Sequence, residues 1–164
     1  MRGIFETHLD VVDLDRSLGF YGAVLGLEVA LRRDEVDATR ADAHSLGASR
    51  FALLWIGGPG QGILGLWERR PERVRPQHFA FEVNLQDLSH LVARLEHRGV
   101  EFRDFFQQRT TIPTVFGFIP AASIYFDDPD GHVLELLAPL AAPPRPDLGV
   151  LSWAEWTKVV AGTA

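Results

Sequence analysis

The chain has 164 residues, 46% of them hydrophobic, with a mean hydropathy of +0.01, enough for one folded domain or two packed halves. It contains no cysteine, which excludes disulfides and thiolate metal sites, and its net charge of −6 without a basic stripe argues against a nucleic-acid partner. No apolar run approaches the roughly 18–20 residues needed to cross a bilayer, and no charged-then-apolar leader opens the chain, so no membrane partner and a cytoplasmic location are expected.

Residues 4–12 read as a strand, and Asp13 is placed to cap a helix. Leu14, Leu18, Tyr21 and Leu25 recur at steps of four, three and four on one helical face, which Gly26 ends. A strand is expected from Leu27 to about Arg33, then a mixed polar loop over 34–48. Phe51–Ile56 and Ile63–Glu68 read as two strands joined by a Gly- and Pro-rich turn. The Arg- and Pro-containing stretch 69–76 reads as a linker.

The order then recurs. Residues 78–83 read as a strand. Leu88, Leu91, Val92 and Leu95 mark the buried face of a helix ending near Gly99, and Val100–Arg103 starts the next strand. Residues 105–121 carry Phe105, Phe106, Phe116 and Phe118 among Thr, Gly and Pro, and read as a long loop. Ser123–Phe126 and Val133–Leu137 are closing strands joined by the turn Asp127-Asp-Pro-Asp-Gly131. A Pro-rich tail ends in a short helix with Trp153 and Trp156 on one face.

Two offsets of 70 residues (78 − 8 and 135 − 65) relate His8 to His78 and Gly65 to Glu135, which marks an internal repeat. The expected fold is α+β: two paired strand–helix–three-strand (βαβββ) modules forming a curved mixed sheet around a metal-binding cleft. The first module spans 1–68, the linker 69–76, the second module 77–139 and the tail 140–164. His8, His78 and Glu135 are the candidate ligands for a divalent metal. Two imidazoles and one carboxylate suit Fe(II), Mn(II), Ni(II), Co(II) or Zn(II) and leave coordination positions open.

The segments from His8 through Asp13-Leu-Asp-Arg-Ser17 to Leu25-Gly26-Leu27, and Tyr125-Phe-Asp-Asp-Pro-Asp-Gly-His-Val-Leu-Glu135-Leu, resemble the vicinal oxygen chelate superfamily over roughly residues 3–139. That superfamily includes glyoxalase I, extradiol dioxygenases, fosfomycin-resistance transferases and bleomycin-resistance proteins. The resemblance implies a metal held by His8, His78 and Glu135, a small substrate bound through vicinal oxygens, and a homodimer. It implies for Tyr125, ten residues before Glu135, a catalytic role at a metal-bound oxygen.

Each branch of the superfamily is met in part. Glyoxalase I-like members carry a fourth ligand, a Glu, at the slot held here by Gly65, with Glu68 three residues further on. Extradiol dioxygenases share the triad, commonly with Fe(II), and the Tyr. They add an acid/base His that has no counterpart between His44 and His78. Fosfomycin-type transferases share the closing segment but carry Thr at the position of Asp10 and need cations. The chain's single lysine is Lys158, which leaves Arg103 or Arg109. Bleomycin-resistance binders lack the triad. A dioxygenase-like reaction with Fe(II) is therefore expected first, glyoxalase-type lyase or isomerase chemistry or fosfomycin-type transfer second, and non-catalytic drug sequestration third. His90 and His97 read as surface residues, His132 as a cap or solvent-facing residue, and Trp55 and Trp67 as core. The Phe cluster reads either as packing or as an apolar pocket wall.

Overall fold

The computed structural model describes residues 3–34 and 50–162. The expected 34–48 loop, apart from its first residue, and with it His44, lies outside the described residues. The chain groups into two units. One holds Met1–Gln77 together with Asp128–His132, and the other holds His78–Asp127 and Val133–Ala164.

In the first unit, strand β1 (Glu6–Val11) alternates strictly: Leu9 and Val11 are buried, and Glu6, His8 and Asp10 face the other way. Asp13 has extended backbone and its side chain accepts from the Arg16 N–H, capping α1 (Leu14–Leu18) as expected. Such a cap is worth about 1 kcal/mol. The helix continues as a π-helical stretch over Gly19–Val24, which places Leu14, Ser17 and Tyr21 in the interior. Strands β2 (Glu28–Arg33), β3 (Phe51–Trp55) and β4 (Ile63–Glu68) complete a sheet ordered β1-β4-β3-β2. β1 and β4 run parallel, and the other pairs are antiparallel. Leu9, Val11, Leu64, Leu66, Ala52 and Leu54 have no or almost no exposed surface and form the apolar row of this sheet.

Asp128–His132 is held in this unit by a dense polar set. One carboxylate oxygen of Asp128 accepts from the backbone N–H groups of Asp130 and His132, and the other accepts from the Tyr21 hydroxyl at 2.9 Å. Asp130 accepts from Val12 N–H and pairs with Arg16. His132 is fully buried, contrary to the solvent-facing expectation. Its Nδ1 accepts from Gln77 N–H at 3.1 Å, and its Nε2–H donates to the Asp10 carbonyl at 2.9 Å. A buried imidazole needs partners for both nitrogens, and here the backbone supplies both.

In the second unit, β5 (His78–Glu82) runs parallel to β8 (Val133–Pro139), and β7 (Ala121–Asp127) pairs antiparallel with β8. α2 (Leu85–Glu96) buries Leu88, Val92 and Leu95 and packs on β8. The expected strand from Val100 is replaced by two isolated bridges at Arg103, one to Tyr125 and one to Arg109. A tight turn explains this: Asp104 Oδ1 accepts from Gln108 N–H, and Gln107 takes positive φ (65°), so the chain reverses before a ladder can form. The next strand lies instead inside the expected long loop, as β6 (Thr114–Phe116). The tail adds β9 (Val150–Ser152) beside β6, then α3 (Trp153–Gly162) with Trp156 buried. The sheet order is β5-β8-β7-β6-β9.

Each unit thus carries the order strand, helix, three strands, and the α+β fold of two mixed sheets matches the expectation. Among the described residues no helix is long and apolar enough to cross a membrane.

Candidate functional site

In the second unit, Glu135 stands mid-strand in β8, directly beside Ala80 of β5 and Tyr125 of β7. His78 opens β5 opposite Val133. Period-two alternation therefore puts His78, Glu135, Tyr125 and Ser123 on one face of the sheet. Glu135 is buried, and its two oxygens have different partners. Oε1 accepts from the Ser123 hydroxyl at 2.5 Å, and Oε2 lies 3.2 Å from His78 Nε2.

His78 Nδ1 lies 3.0 Å from the Val133 carbonyl oxygen. A carbonyl can only accept, so Nδ1 carries the hydrogen and donates it. Nε2 is then the nitrogen left to face the carboxylate. The Nε2 lone pair and Glu135 Oε2, 3.2 Å apart on one face, are two donors that one divalent cation can take together. An imidazole tied through its other N–H to a backbone carbonyl is the usual setting of a metal-ligating His. These two side chains fit a divalent metal.

Tyr125 is nearly buried, with its ring centroid 5.9 Å from that of His78. Burial pushes its hydroxyl above the usual tyrosine value; a hydrogen bond with Ser123 opposes that shift, and the Glu135 carboxylate adds to it. The hydroxyl is therefore a hydrogen-bond donor across the physiological range.

The first unit places its candidates differently. His8 lies directly beside Gly65. The Trp67 indole N–H donates to His8 Nδ1 at 2.6 Å, and His8 Nε2 lies 3.2 Å from Glu6 Oε1. Indole nitrogen can only donate, so Nδ1 is the acceptor and Nε2 carries the hydrogen in neutral His8. This is the opposite tautomer to that of His78. The His8 ring also covers Gly65: a Cβ there would lie 2.2 Å from Nδ1 and 3.0 Å from the Trp67 nitrogen. The slot where glyoxalase I-like members carry a carboxylate is filled by the His8 ring. Glu68 does not rescue it, because its Oε2 accepts from the Leu14 N–H at the start of α1 and from Arg50.

The equal offsets of 70 residues do not reflect equal positions. Glu135 matches Gly65, but the residue beside Glu135 is Ala80, while the residue beside Gly65 is His8. His78 sits beside Val133, and its register counterpart is Glu6, beside Ile63. The stretches between the paired strands differ by two residues (63 − 6 = 57 against 133 − 78 = 55), so residues two apart in register share one numerical offset.

The structure divides the expected ligands, with His8 in the first unit and His78, Glu135 and Tyr125 in the second. Among the described residues, no group of three or more His, Asp or Glu side chains is close enough together to hold a metal. Sequence reasoning missed Ser123, although it lies two residues before Tyr125 and so shares its face. It also placed Trp67 in the core without seeing that the indole N–H reaches His8. Arg103, a candidate anion contact, is engaged by Asp127 in a two-pronged pair.

A family model described as the Glyoxalase/Bleomycin resistance protein/Dioxygenase superfamily matches residues 3–136. No curated protein matches significantly. Among solved structures, the chain is similar to integron cassette protein HFX_CASS4, from the mobile metagenome of the Halifax Harbour sewage outfall. It is 31% identical over 84% of this chain and 99% of that one, with a TM-score of 0.65. It is also similar to oxidase ChaP-H2 (24% identity, 88% of this chain and 100% of that one, TM-score 0.63). A third likeness is to the fosfomycin resistance protein FosX of Listeria monocytogenes, solved with Mn(II) and sulfate. It has 22% identity over 86% of this chain and 93% of that one, with a TM-score of 0.58. The last two likenesses concern the fold alone.

Proposed function

Because the chain belongs to the Glyoxalase/Bleomycin resistance protein/Dioxygenase superfamily, we propose that it is a metal-dependent enzyme that binds a small substrate through vicinal oxygens, with dioxygenase-like chemistry. The observation that carries this reading is the His78–Glu135 pair, whose facing nitrogen and oxygen, 3.2 Å apart, offer two donors to one cation. The resemblance implies His8, on the outward face of β1, as the third donor. Fe(II) and Mn(II) head the candidate metals, with Co(II), Ni(II) and Zn(II) compatible. A bound divalent ion supplies Lewis acidity toward a coordinated oxygen.

The chain's own residues do the rest. Ser123 holds one oxygen of Glu135 and so aims the other. The Val133 carbonyl fixes the ring of His78. Tyr125 keeps its proton and donates a hydrogen bond to a substrate oxygen. Glyoxalase-type chemistry is the weaker reading, since the His8 ring fills the fourth-ligand slot at Gly65.

A non-catalytic, ligand-sequestering protein is the second reading. It is favoured by the exposed apolar side chains Phe105, Phe106 and Phe118, which are linked by ring contacts through Phe116 into an apolar patch in the second unit. The same patch suits a homodimer contact. A cytoplasmic setting belongs to the same proposal.

Oxygen uptake by Fe(II)-reconstituted protein offered catechols and other vicinal-oxygen substrates separates the two. Uptake that disappears in Tyr125→Phe supports the enzyme. Tight, stoichiometric ligand binding without turnover leaves the sequestering protein.

A further inference from the structure

We propose that the open face of the first sheet binds a flat aromatic cation, with its positive group over Trp55 between Glu28 and Glu6. This site lies wholly within the first unit and does not depend on the metal reading above. Register carries the first part of the argument. Directly paired residues of neighbouring strands stand on one face of a sheet. The pairings of β2, β3, β4 and β1 therefore set Glu28, Trp55, Ile63 and Glu6 in one row across this face. A parallel row four residues along β3 holds Arg33, Phe51, Trp67 and Asp10.

Apolar surface carries the second part. The outer face of a sheet with one face on the core is commonly polar. Here β3 presents Phe51, Leu53 and Trp55 to that side, each half-buried, while α1 meets the sheet through Glu68 on the opposite face. Trp55, expected in the core, thus stands on the open face. Phe51 stacks on Trp67 with ring centroids 4.7 Å apart and an interplanar angle of 19°. From Trp55 to Phe51 the face extends about 13 Å, and from Glu28 to Glu6 about 14 Å. That extent suits a fused ring system better than a single ring.

Charge carries the third part and sets the orientation. An indole face attracts a cation, and the row of Trp55 ends in a carboxylate on either side. Glu28 is the direct cross-strand partner of Trp55, is exposed, and has no ion pair among the described residues. Glu6 lies 3.2 Å from His8 Nε2, so Glu28 is the freer of the two. The other row has the opposite character. Arg33 ends it, and the Arg69 guanidinium, held by Asp10, stands 5.9 Å from the Trp67 ring centroid. A cationic group is therefore favoured at the Trp55 end and repelled at the Phe51–Trp67 end.

Calorimetric titration of the full chain with an aminoacridine cation, neutral acridone and anthracene carboxylate, probes of one shape and different charge, tests this. The Trp55 indole N–H signal in NMR, assigned by its loss in Trp55→Leu, reports where each probe lies. The cation is expected to bind about 10-fold or more tighter than the carboxylate and to shift the Trp55 signal. Trp55→Leu is expected to weaken cation binding about 10-fold. Glu28→Gln is expected to weaken it about 3-fold, with acridone unaffected. Thermal melts verify folding, and Glu28→Gln, exposed on the edge strand β2, keeps the test open if Trp55→Leu unfolds. Glu135→Ala is expected to bind the cation like wild type, so loss of the metal reading leaves this proposal standing. No binding by any probe, equal binding of cation and carboxylate, or a Trp55 signal that the cation leaves unmoved would overturn it. So would a preference for the cation that survives Glu28→Gln unchanged.

Discussion

The Trp67 indole N–H donates to His8 Nδ1 across 2.6 Å, and this one bond decides which nitrogen of His8 carries the hydrogen. In Trp67→Phe that constraint is gone. Nitrogen-detected NMR of the imidazoles is expected to show His8 as the Nε2–H tautomer in wild type and as a tautomer mixture in the variant. Loss of the bond is expected to lower stability by about 1 kcal/mol. An Nδ1–H tautomer of His8 in wild type would contradict the hydrogen-bond assignment.

Gly65 is needed because His8 lies on it. A methyl group at this position meets the imidazole at 2.2 Å, so Gly65→Ala is expected to cost about 1–3 kcal/mol of unfolding free energy. Adding His8→Ala removes the obstacle, and the double variant is expected to recover most of that loss. Denaturant unfolding of the four proteins gives the coupling energy. Strict additivity of the two single changes would show that the contact is not the cause.

Ser123 and Tyr125 separate metal binding from turnover. Ser123→Ala frees Glu135 Oε1 and is expected to weaken metal binding about 10-fold or more while the protein stays folded. Tyr125→Phe removes only the hydroxyl. It is expected to leave metal affinity unchanged and lower turnover by about 100-fold or more. Equal loss of metal in both variants would contradict this division of roles.

Asp128 gives a pH signature. Burial holds its carboxyl above the usual carboxylate range, against the opposing hydrogen bonds of His132, Tyr21 and Asp130. A raised folded value means that its favourable contribution is complete below about pH 3.9, the unfolded value, and is lost as pH rises through the folded value. Asp128→Asn keeps the shape without the titration. The stability of wild type relative to this variant is therefore expected to fall as pH rises above about 4. A difference that rises with pH there would contradict the assignment.

Much of the fold could be read from the sequence because its signals are local. The alternation in β1, the Asp13 cap and the apolar face of α2 each need only a few residues of context. β6 could not be read, because Thr114–Phe116 looks like loop until Ser123 and Leu151 flank it. The pairing of His78 with Glu135 was legible from the repeat and the closing motif. The place of His8 was not, since an offset of 70 residues hides a two-residue difference in register that only the strand partners reveal. The burial of His132 was equally hidden, because its partners are the backbone groups of Asp10 and Gln77.

Elemental metal content of untagged protein purified without oxygen, measured beside Glu135→Ala, tests the central claim most directly. The account predicts close to one iron or manganese per chain in wild type and its loss in the variant. Protein that holds no metal, and takes up none of Fe(II), Mn(II), Co(II), Ni(II) or Zn(II), would contradict the account and leave a protein that binds its ligand without metal chemistry.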